Sequence, residues 1–393
     1  MDGTGRYRRL FYDDNIMKYK LLGNSKTKIA AVGQGCMGIG GYLSKDSVED
    51  KKQIDTLRMG IELGMTFIDT AEVYGEGHSE EIVGSAISGL RDKVFIATKV
   101  SPDHLSCDGL QKSAEASLRR LKTDHIDLFQ VHWPNPNIPI EETMRAMERL
   151  ITDGKIKHIG ISNCSLSQTE KAGKSLNNSV ISSLQSEYNL FDRSAEKSIM
   201  PYCEKKLITL IAYSPLNNGK IAGDDKKMVE LRRLAEKYGK TTAQISLNWL
   251  VMHPAVVVIP KATNPDHLRE NSSAVDFEIS QEDFDSLSQV FTSEPKLVPV
   301  DRIRVSQDSQ GDRKAYETID EAKQNKLNFV PSPYDLAKDL SDGEFLKPVR
   351  VIKTKDVSGR FDYDLVEGRI RYWAWAIAFE GKKMIPVYVR DNH

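Results

Sequence analysis

From residue 29 onward the chain repeats one unit, a short apolar run followed by an amphipathic helical stretch. The runs at 29–32, 66–69, 94–99, 126–132, 156–161, 180–185, 208–213 and 256–259 read as strands. They alternate with helical patterns at 48–63, 80–90, 109–121, 140–153, 167–175, 195–205, 225–238, 243–252 and 281–290. Repeated βα units demand parallel strands joined by right-handed crossovers. Eight such strands suit a closed (β/α)8 TIM barrel better than an open doubly wound sheet, and a barrel turns every strand end toward one rim. The expected fold class is therefore α/β, a barrel over residues 18–291.

The rhythm stops after Phe291. A linker at 292–295 leads to strand-like pieces at 298–305, 349–353, 362–366 and 385–389, with helical ones at 333–340 and 370–379. Residues 296–393 thus read as a separate small α+β domain, of ordinary domain size. Residues 1–17 carry charges and aromatics without a regular pattern and read as an extension outside the fold. No stretch has the apolar core of a signal peptide or the 18 apolar residues of a membrane span. The formal net charge is −1, which gives no electrostatic case for nucleic acid or an anionic membrane. Cys36, Cys107, Cys164 and Cys203 lack the spacing of a zinc site or disulfide framework, so no metal is expected and the cytoplasm is the expected compartment.

Gly33-Gln34-Gly35-Cys36-Met37-Gly38 satisfies the Gly-x-Gly-x-x-Gly dinucleotide pattern. In a Rossmann unit, however, the helix opens on that loop, and here it starts only near Ser47. The polar residues at the strand ends are more informative. They are Asp69, Lys99, His132, Ser162 with Asn163, Gln185, and Tyr213 with Ser214, and Tyr74 follows Asp69 in the loop. A free tyrosine is a poor proton donor at neutral pH, and a neighbouring ammonium lowers its pKa. Asp69 would keep Lys99 charged and oriented, and Tyr74 and His132 together could polarise a carbonyl. Such a site needs an external hydride donor. Taken singly, Lys99 reads as a solvated lysine and His132 as a satisfied histidine; their convergence on one rim favours a site.

The strand ends lie in the motifs Phe67-Ile68-Asp69-Thr70-Ala71-Glu72-Val73-Tyr74-Gly75, Ala97-Thr98-Lys99, Asp127-Leu128-Phe129-Gln130-Val131-His132-Trp133 and Gly160-Ile161-Ser162-Asn163. Gln185-Ser186-Glu187-Tyr188-Asn189, Ala212-Tyr213-Ser214-Pro215-Leu216 and Ile259-Pro260-Lys261 with Glu270-Asn271 follow in order. On these motifs residues 18–291 resemble the aldo-keto reductase family. The resemblance implies a catalytic tetrad of Asp69, Tyr74, Lys99 and His132, with Tyr74 the proton donor and Tyr74, His132 and Trp133 facing the substrate. It also implies an extended NADPH, with only moderate preference over NADH because Ala262 and His267 depart from the family pattern. Gly35, Cys36, Met37 and Asp69 would lie near the nicotinamide, Ser162, Asn163 and Gln185 at its carboxamide, and Tyr213 on its ring. Ser214, Pro215, Leu216 and Gly219 would line the pyrophosphate. Pro260 and Lys261 would meet the 2′-phosphate, and Glu270 and Asn271 the adenine. The loop between Leu216 and the helix near Asp225 is short, which predicts an open cofactor channel and fast exchange.

The implied activity is reduction of an aldehyde or ketone, with sugars and phosphorylated or nucleotide-linked carbonyls among the candidates. The alternative is an NADP(H)-sensing or nucleotide-responsive regulatory protein. In the second domain stand Val298-Pro299-Val300-Asp301-Arg302-Ile303, Lys347-Pro348-Val349-Arg350-Val351 and Leu365 to Ala374. On these motifs residues 296–393 resemble, more distantly, the amino-terminal domain of ParB-type partition proteins and sulfiredoxin. Gly368 and Arg371 would form a nucleotide-phosphate site at a helix start. The alternative reading makes Tyr372, Trp373, Trp375 and Phe379 core and Arg371 surface. Residues 293–393 carry 18 Lys and Arg against 17 Asp and Glu, too balanced for a DNA-binding face.

Overall fold

The structure, a computed structural model, describes residues 11–12, 17–42, 44–219, 226–292, 294–305, 316–343, 345–354 and 359–390. The chain divides into two compact units, with the boundary after Phe291.

The first unit is built on eight parallel strands in chain order: β4 (Gln34–Gly35), β5 (Phe67–Asp69), β6 (Phe95–Val100), β7 (Ile126–Val131), β8 (Ile156–Ser162), β9 (Ile181–Glu187), β10 (Thr209–Tyr213) and β11 (Val256–Val258). A parallel bridge between Val32 and Val258, with Gly33 N donating to Val258 O at 2.8 Å, closes the sheet into a barrel. Every residue of β6 and β7 is buried, because the inner face fills the barrel and the outer face is covered by helices. Those helices are α1 (Asp50–Glu62), α2 (His78–Ala86), α3 (Cys107–Leu121), α4 (Ile140–Thr152), α5 (Leu166–Lys174), α6 (Ile199–Lys206), α7 (Lys226–Tyr238), α8 (Thr242–Met252), α9 (Pro265–Ser272) and α10 (Gln281–Val290). Sequence sets their starts. Ser165 and Thr241 form capping boxes with Gln168 and Gln244, and Ser106 and Ser280 accept backbone N–H groups at the starts of α3 and α10.

In the first unit three expectations change. The run at 29–32 is not the first barrel strand. β3 (Lys28–Ala30) pairs antiparallel with β2 (Lys18–Leu21), and the barrel begins at Val32 and β4. An apolar run reads the same in either role, so only pairing separates them. Within the stretch set aside as an extension, β1 (Phe11–Tyr12) pairs with Lys18 and Tyr19. Finally, α9 was not anticipated, although Asn264 caps it and Pro265 opens it.

The hairpin β2–β3 lies at the amino ends of the barrel strands, where Gly23 N donates to Thr209 Oγ1 at 2.8 Å. Gly23 has φ 54, and a Cβ there would come within 2.7 Å of Ser182 O, so the turn requires glycine. Lys20 is buried and donates to Val251 O at 2.5 Å, His253 O at 2.8 Å and Val256 O at 2.6 Å. It thereby satisfies carbonyls where α8 ends and β11 begins.

The second unit has a mixed sheet in the order β12 (Lys296–Val298), β16 (Ile385–Arg390), β14 (Val349–Lys353), β15 (Tyr363–Glu367), β13 (Ile303–Arg304). Its helices are α11 (Ile319–Lys323), α12 (Pro333–Ser341) and α13 (Arg369–Ala378). The expected continuous strand at 298–305 is broken at Pro299, which lacks a donor, and a 3₁₀ turn at Val300–Arg302 separates β12 from β13. Val298, Ile303, Val349, Val351, Leu365, Ile385 and Val387 form the core with Tyr372, Trp373 and Ile377 of α13. No helix among the described residues is long and apolar enough to cross a membrane.

Replacing Lys20 with Met should leave those carbonyls without their donor and lower the unfolding free energy by about 3 kcal/mol. A urea midpoint unchanged from wild type would show that the Lys20 bonds contribute nothing.

Candidate active site

The carboxyl ends of β5, β6 and β7 bring Asp69, Lys99 and His132 together, with Tyr74 in the turn after β5. Lys99 is fully buried, and its ammonium donates to Asp69 Oδ1 at 2.5 Å, Thr70 O at 2.8 Å and Tyr74 OH at 3.4 Å. Asp69 Oδ2 accepts from Gln185 Nε2 at 2.8 Å and from Gln130 Nε2 at 3.1 Å. The Tyr74 and His132 rings meet edge to face with centroids 5.6 Å apart, and Trp133 stacks on His132 at 3.7 Å. Trp133 itself stays 38% exposed, so it forms part of the accessible rim.

The segment carrying Tyr74 is fixed from behind. Glu72 Oε1 accepts Ser101 N at 2.6 Å and faces His104 Nδ1 at 2.9 Å, while Oε2 accepts Ser113 Oγ at 2.6 Å. Gly75 lies under Gly40, where a Cβ would come within 2.2 Å of the Gly40 carbonyl oxygen.

The electrostatics follow from burial. Burial lowers the His132 pKa and the Lys99 charge adds to it, bringing the imidazole down to about 2. Its Nδ1 is buried with no hydrogen-bond partner among the described residues. Burial would also lower Lys99, but Asp69 and Tyr74 together outweigh it and hold the ammonium above its ordinary value. Tyr74 departs from the sequence reading. Lys99 does pull the phenol down, yet burial pushes it up by more and Asp69 adds to that, so its pKa lies above the usual value, not below it. Spacing in the sequence identifies the cation but not the loss of water around the phenol.

Around the rim, Asn163, at φ 56, donates from Nδ2 to His132 O at 3.1 Å and accepts from Tyr213 OH at 3.0 Å. Ser162 and Gln185 are buried beside it, opposite one another in register. The loop after β10 carries Ser214, Asn217 and Gly219 in left-handed conformations, and Asn189 Nδ2 pins Ser214 O at 3.1 Å. Pro215 is buried there and Leu216 half-buried. Gly35 packs so closely on β11's continuation that a Cβ would lie 2.6 Å from Ile259 O; Cys36 after it is buried and Met37 exposed. Pro260 is buried and Lys261 exposed, with Lys261 Nζ 3.4 Å from where a Gly38 Cβ would sit. On α9, Glu270 is half-buried and Asn271 buried. Side-chain amides, an aromatic ring and an exposed ammonium are groups that could hold the amide, ring and phosphate parts of a nucleotide cofactor. The Gly33–Gly38 pattern lies in β4 and its loop, and α1 begins only at Asp50, so no helix opens on it. The short covering loop read from the sequence runs through 220–225, outside the described residues.

Sequence reasoning missed Gln130. Its signal was a polar residue inside the apolar run Leu128-Phe129-Gln130-Val131, which lies wholly in the barrel. In the second unit, Gly368 has φ 97 and precedes α13. Arg371 donates to Lys347 O and Pro348 O, each at 2.9 Å, and lies 3.6 Å from Glu367. Tyr372 and Trp373 are buried, while Trp375 and Phe379 are only half-buried.

The sequence matches the aldo/keto reductase family over residues 31–291. The methylglyoxal reductase YeaE of Escherichia coli is 34% identical over 276 residues, which span 70% of this chain and 95% of the relative. The glyoxal reductase of Bacillus subtilis is 35% identical over 236 residues, 59% of this chain and 81% of that protein. Among solved structures, a thermostable aldo-keto reductase with the inhibitor epalrestat is 41% identical with a TM-score of 0.67, covering 69% of this chain and 99% of that one. An aldo/keto reductase from Klebsiella pneumoniae, in complex with NADP and acetate, is 33% identical with a TM-score of 0.63, covering 69% and 94%. A closed barrel with this tetrad on its rim, and a match that runs through the whole barrel, place the chain in the aldo/keto reductase family.

Proposed function

We propose that the protein is an NADPH-dependent carbonyl reductase in which Tyr74 gives the proton. The observation that carries the reading is the contact of the buried Lys99 ammonium with both Asp69 and the Tyr74 hydroxyl. NADPH, when bound, supplies the hydride. Ser162, Asn163 and Gln185 would hold its carboxamide, Tyr213 its ring, the Ser214–Gly219 loop its pyrophosphate and Lys261 its 2′-phosphate. The NADP complex of the Klebsiella relative supports this cofactor, and the glyoxal and methylglyoxal reductases support a small aldehyde as the substrate class.

The proton chemistry follows from the surroundings. A phenol whose pKa lies above its ordinary value keeps its proton until a substrate oxygen gains negative charge. As the proton leaves Tyr74, the phenolate is stabilised by the Lys99 ammonium, which Asp69 and Thr70 O hold in place. With Nδ1 of His132 sealed, Nε2 is the nitrogen that meets the substrate oxygen. We assign the proton to Nε2, since a proton on Nδ1 would bury an unpaired donor. His132 then donates a hydrogen bond and stays neutral, while Tyr74 transfers the proton.

The second reading, a nucleotide-responsive protein using a ParB-like second unit, has weaker support. Gly368 and the start of α13 are suitably placed, but a phosphate there would compete with Glu367 and two carbonyls for Arg371.

Tyr74→Phe should lower the turnover of methylglyoxal or another small aldehyde by about a thousandfold. NADPH affinity, read by fluorescence quenching, should stay within about twofold, and wild-type turnover in that variant would refute the mechanism. Because His132 is neutral far above its pKa and Tyr74 remains protonated, kcat for reduction should be level from about pH 6 to 9. An inflection near the ordinary histidine pKa would show that His132 titrates during catalysis. Lys261→Met should weaken NADPH binding about tenfold and leave NADH binding unchanged, with equal losses for both cofactors counting against a 2′-phosphate contact.

A further inference from the structure

We infer that Gln130 is a positioning residue for the proposed reduction: its amide fixes the Asp69 carboxylate so that Lys99 stays pressed against Tyr74. The inference rests on the reading of Tyr74 as proton donor. Gln130 is fully buried as the next-to-last residue of β7, opposite Lys99 in the register of β6 and β7. Its Nε2 donates to Asp69 Oδ2 at 3.1 Å, and its Oε1 lies 3.4 Å from Gln185 Nε2. Gln185 donates to the same carboxylate oxygen at 2.8 Å. The two amides therefore tether Oδ2 and leave Oδ1 to Lys99.

These two tethers are not equivalent. Gln185 is the residue proposed to meet the nicotinamide carboxamide, so its amide is shared with the cofactor. Gln130 is fully buried, and its bond to Asp69 uses no group proposed to meet the cofactor. Without it one of the two tethers on Oδ2 is lost, and the carboxylate can turn about its Cβ–Cγ bond and shift the oxygen that Lys99 contacts. The ammonium already reaches Tyr74 only at 3.4 Å, so a small turn of its partner removes that contact.

A second observation shows that the seat of Gln130 is built. Gly160, its register partner on β8, leaves the space the side chain occupies. A Cβ at Gly160 would lie 2.7 Å from Gln130 Cγ and 2.6 Å from Ser183 Oγ. Any larger residue at 160 would push Gln130 toward a different course. Gly160 is not at a positive φ, so its smallness serves this packing and not the backbone.

Gln130→Met keeps the length of the side chain and removes the amide. In the full-length enzyme, with NADPH and methylglyoxal, kcat should fall about tenfold, while the KM for the aldehyde and the Kd for NADPH stay within about twofold. The solvent deuterium isotope effect on kcat should rise, because proton donation from Tyr74 becomes more rate-limiting. A merely structural role would not move that readout. Gly160→Ala, whose Cβ would press on Gln130 Cγ and on Ser183 Oγ, should change kcat and the isotope effect in the same directions, and it supplies the test if Gln130→Met does not fold. Wild-type kcat and isotope effect in the folded variants would overturn the inference. Tyr74→Phe, measured alongside, separates the two failures: turnover there refutes the proposed reaction, whereas a dead Tyr74→Phe with a normal Gln130→Met refutes only the role of Gln130.

Discussion

The ion pair between Lys99 and Asp69 is the interaction on which the rest of the barrel's chemistry depends. Taking two charges out of water costs several kcal/mol for each, and only close, well-satisfied geometry offsets it. Here all three protons of the ammonium can be placed, on Asp69, Thr70 O and Tyr74 OH. The far oxygen of Asp69 is held by two amides. These groups come from β5, β6, β7 and β9 and from the turn after β5, so the pair is satisfied only when the strands are in register. The fold and the site are therefore the same constraint seen at two scales.

A second layer of buried polar contacts keeps that geometry from drifting. Glu72 ties the Tyr74 segment to the backbone just past Lys99 through Ser101 N. Behind β6, the buried Glu80 carboxylate accepts from Thr98 Oγ1 at 2.5 Å and from Arg120 Nε at 2.6 Å, which fixes α2 and α3 against the strand. Side chains locked this way would hold the Tyr74 hydroxyl, in its proposed role, within the small tolerance that proton transfer needs. Asn163, bonded to His132 O and to Tyr213, extends the same rigidity to the rim.

Much of this was legible in the sequence because a barrel converts strand ends into one surface. Asp69, Lys99, His132 and Gln185 could be read as neighbours from the ends of four separate apolar runs. What could not be read was which polar group within an apolar run points into the barrel. Gln130 is an example, since period-two alternation says little where both faces are buried. The first strand was misplaced because 29–32 is equally apolar whether it pairs in a hairpin or in the barrel. The sign of the net shift at Tyr74 was missed because it depends on how much water is lost, and spacing does not report that. The second unit was blurred at Pro299, where one missing donor divides an apolar run into two strands.

Two of the barrel's buried lysines, Lys20 and Lys99, show that burial by itself does not set the charge state of an ammonium. Lys20, at the amino end, faces carbonyl dipoles and the like charge of Lys18; burial first and then that repulsion bring it down to about 7. Lys99, at the carboxyl end, loses its water as completely but faces a carboxylate, and its pKa rises above the ordinary value. Carbonyl dipoles take up the protons of Lys20, whereas Asp69 adds an opposite charge that offsets the drying of Lys99. The same residue type thus closes one end of the barrel as a structural donor and serves the other as a fixed positive charge. What separates them is Asp69, and what steadies Asp69 is the pair of amides at Gln130 and Gln185.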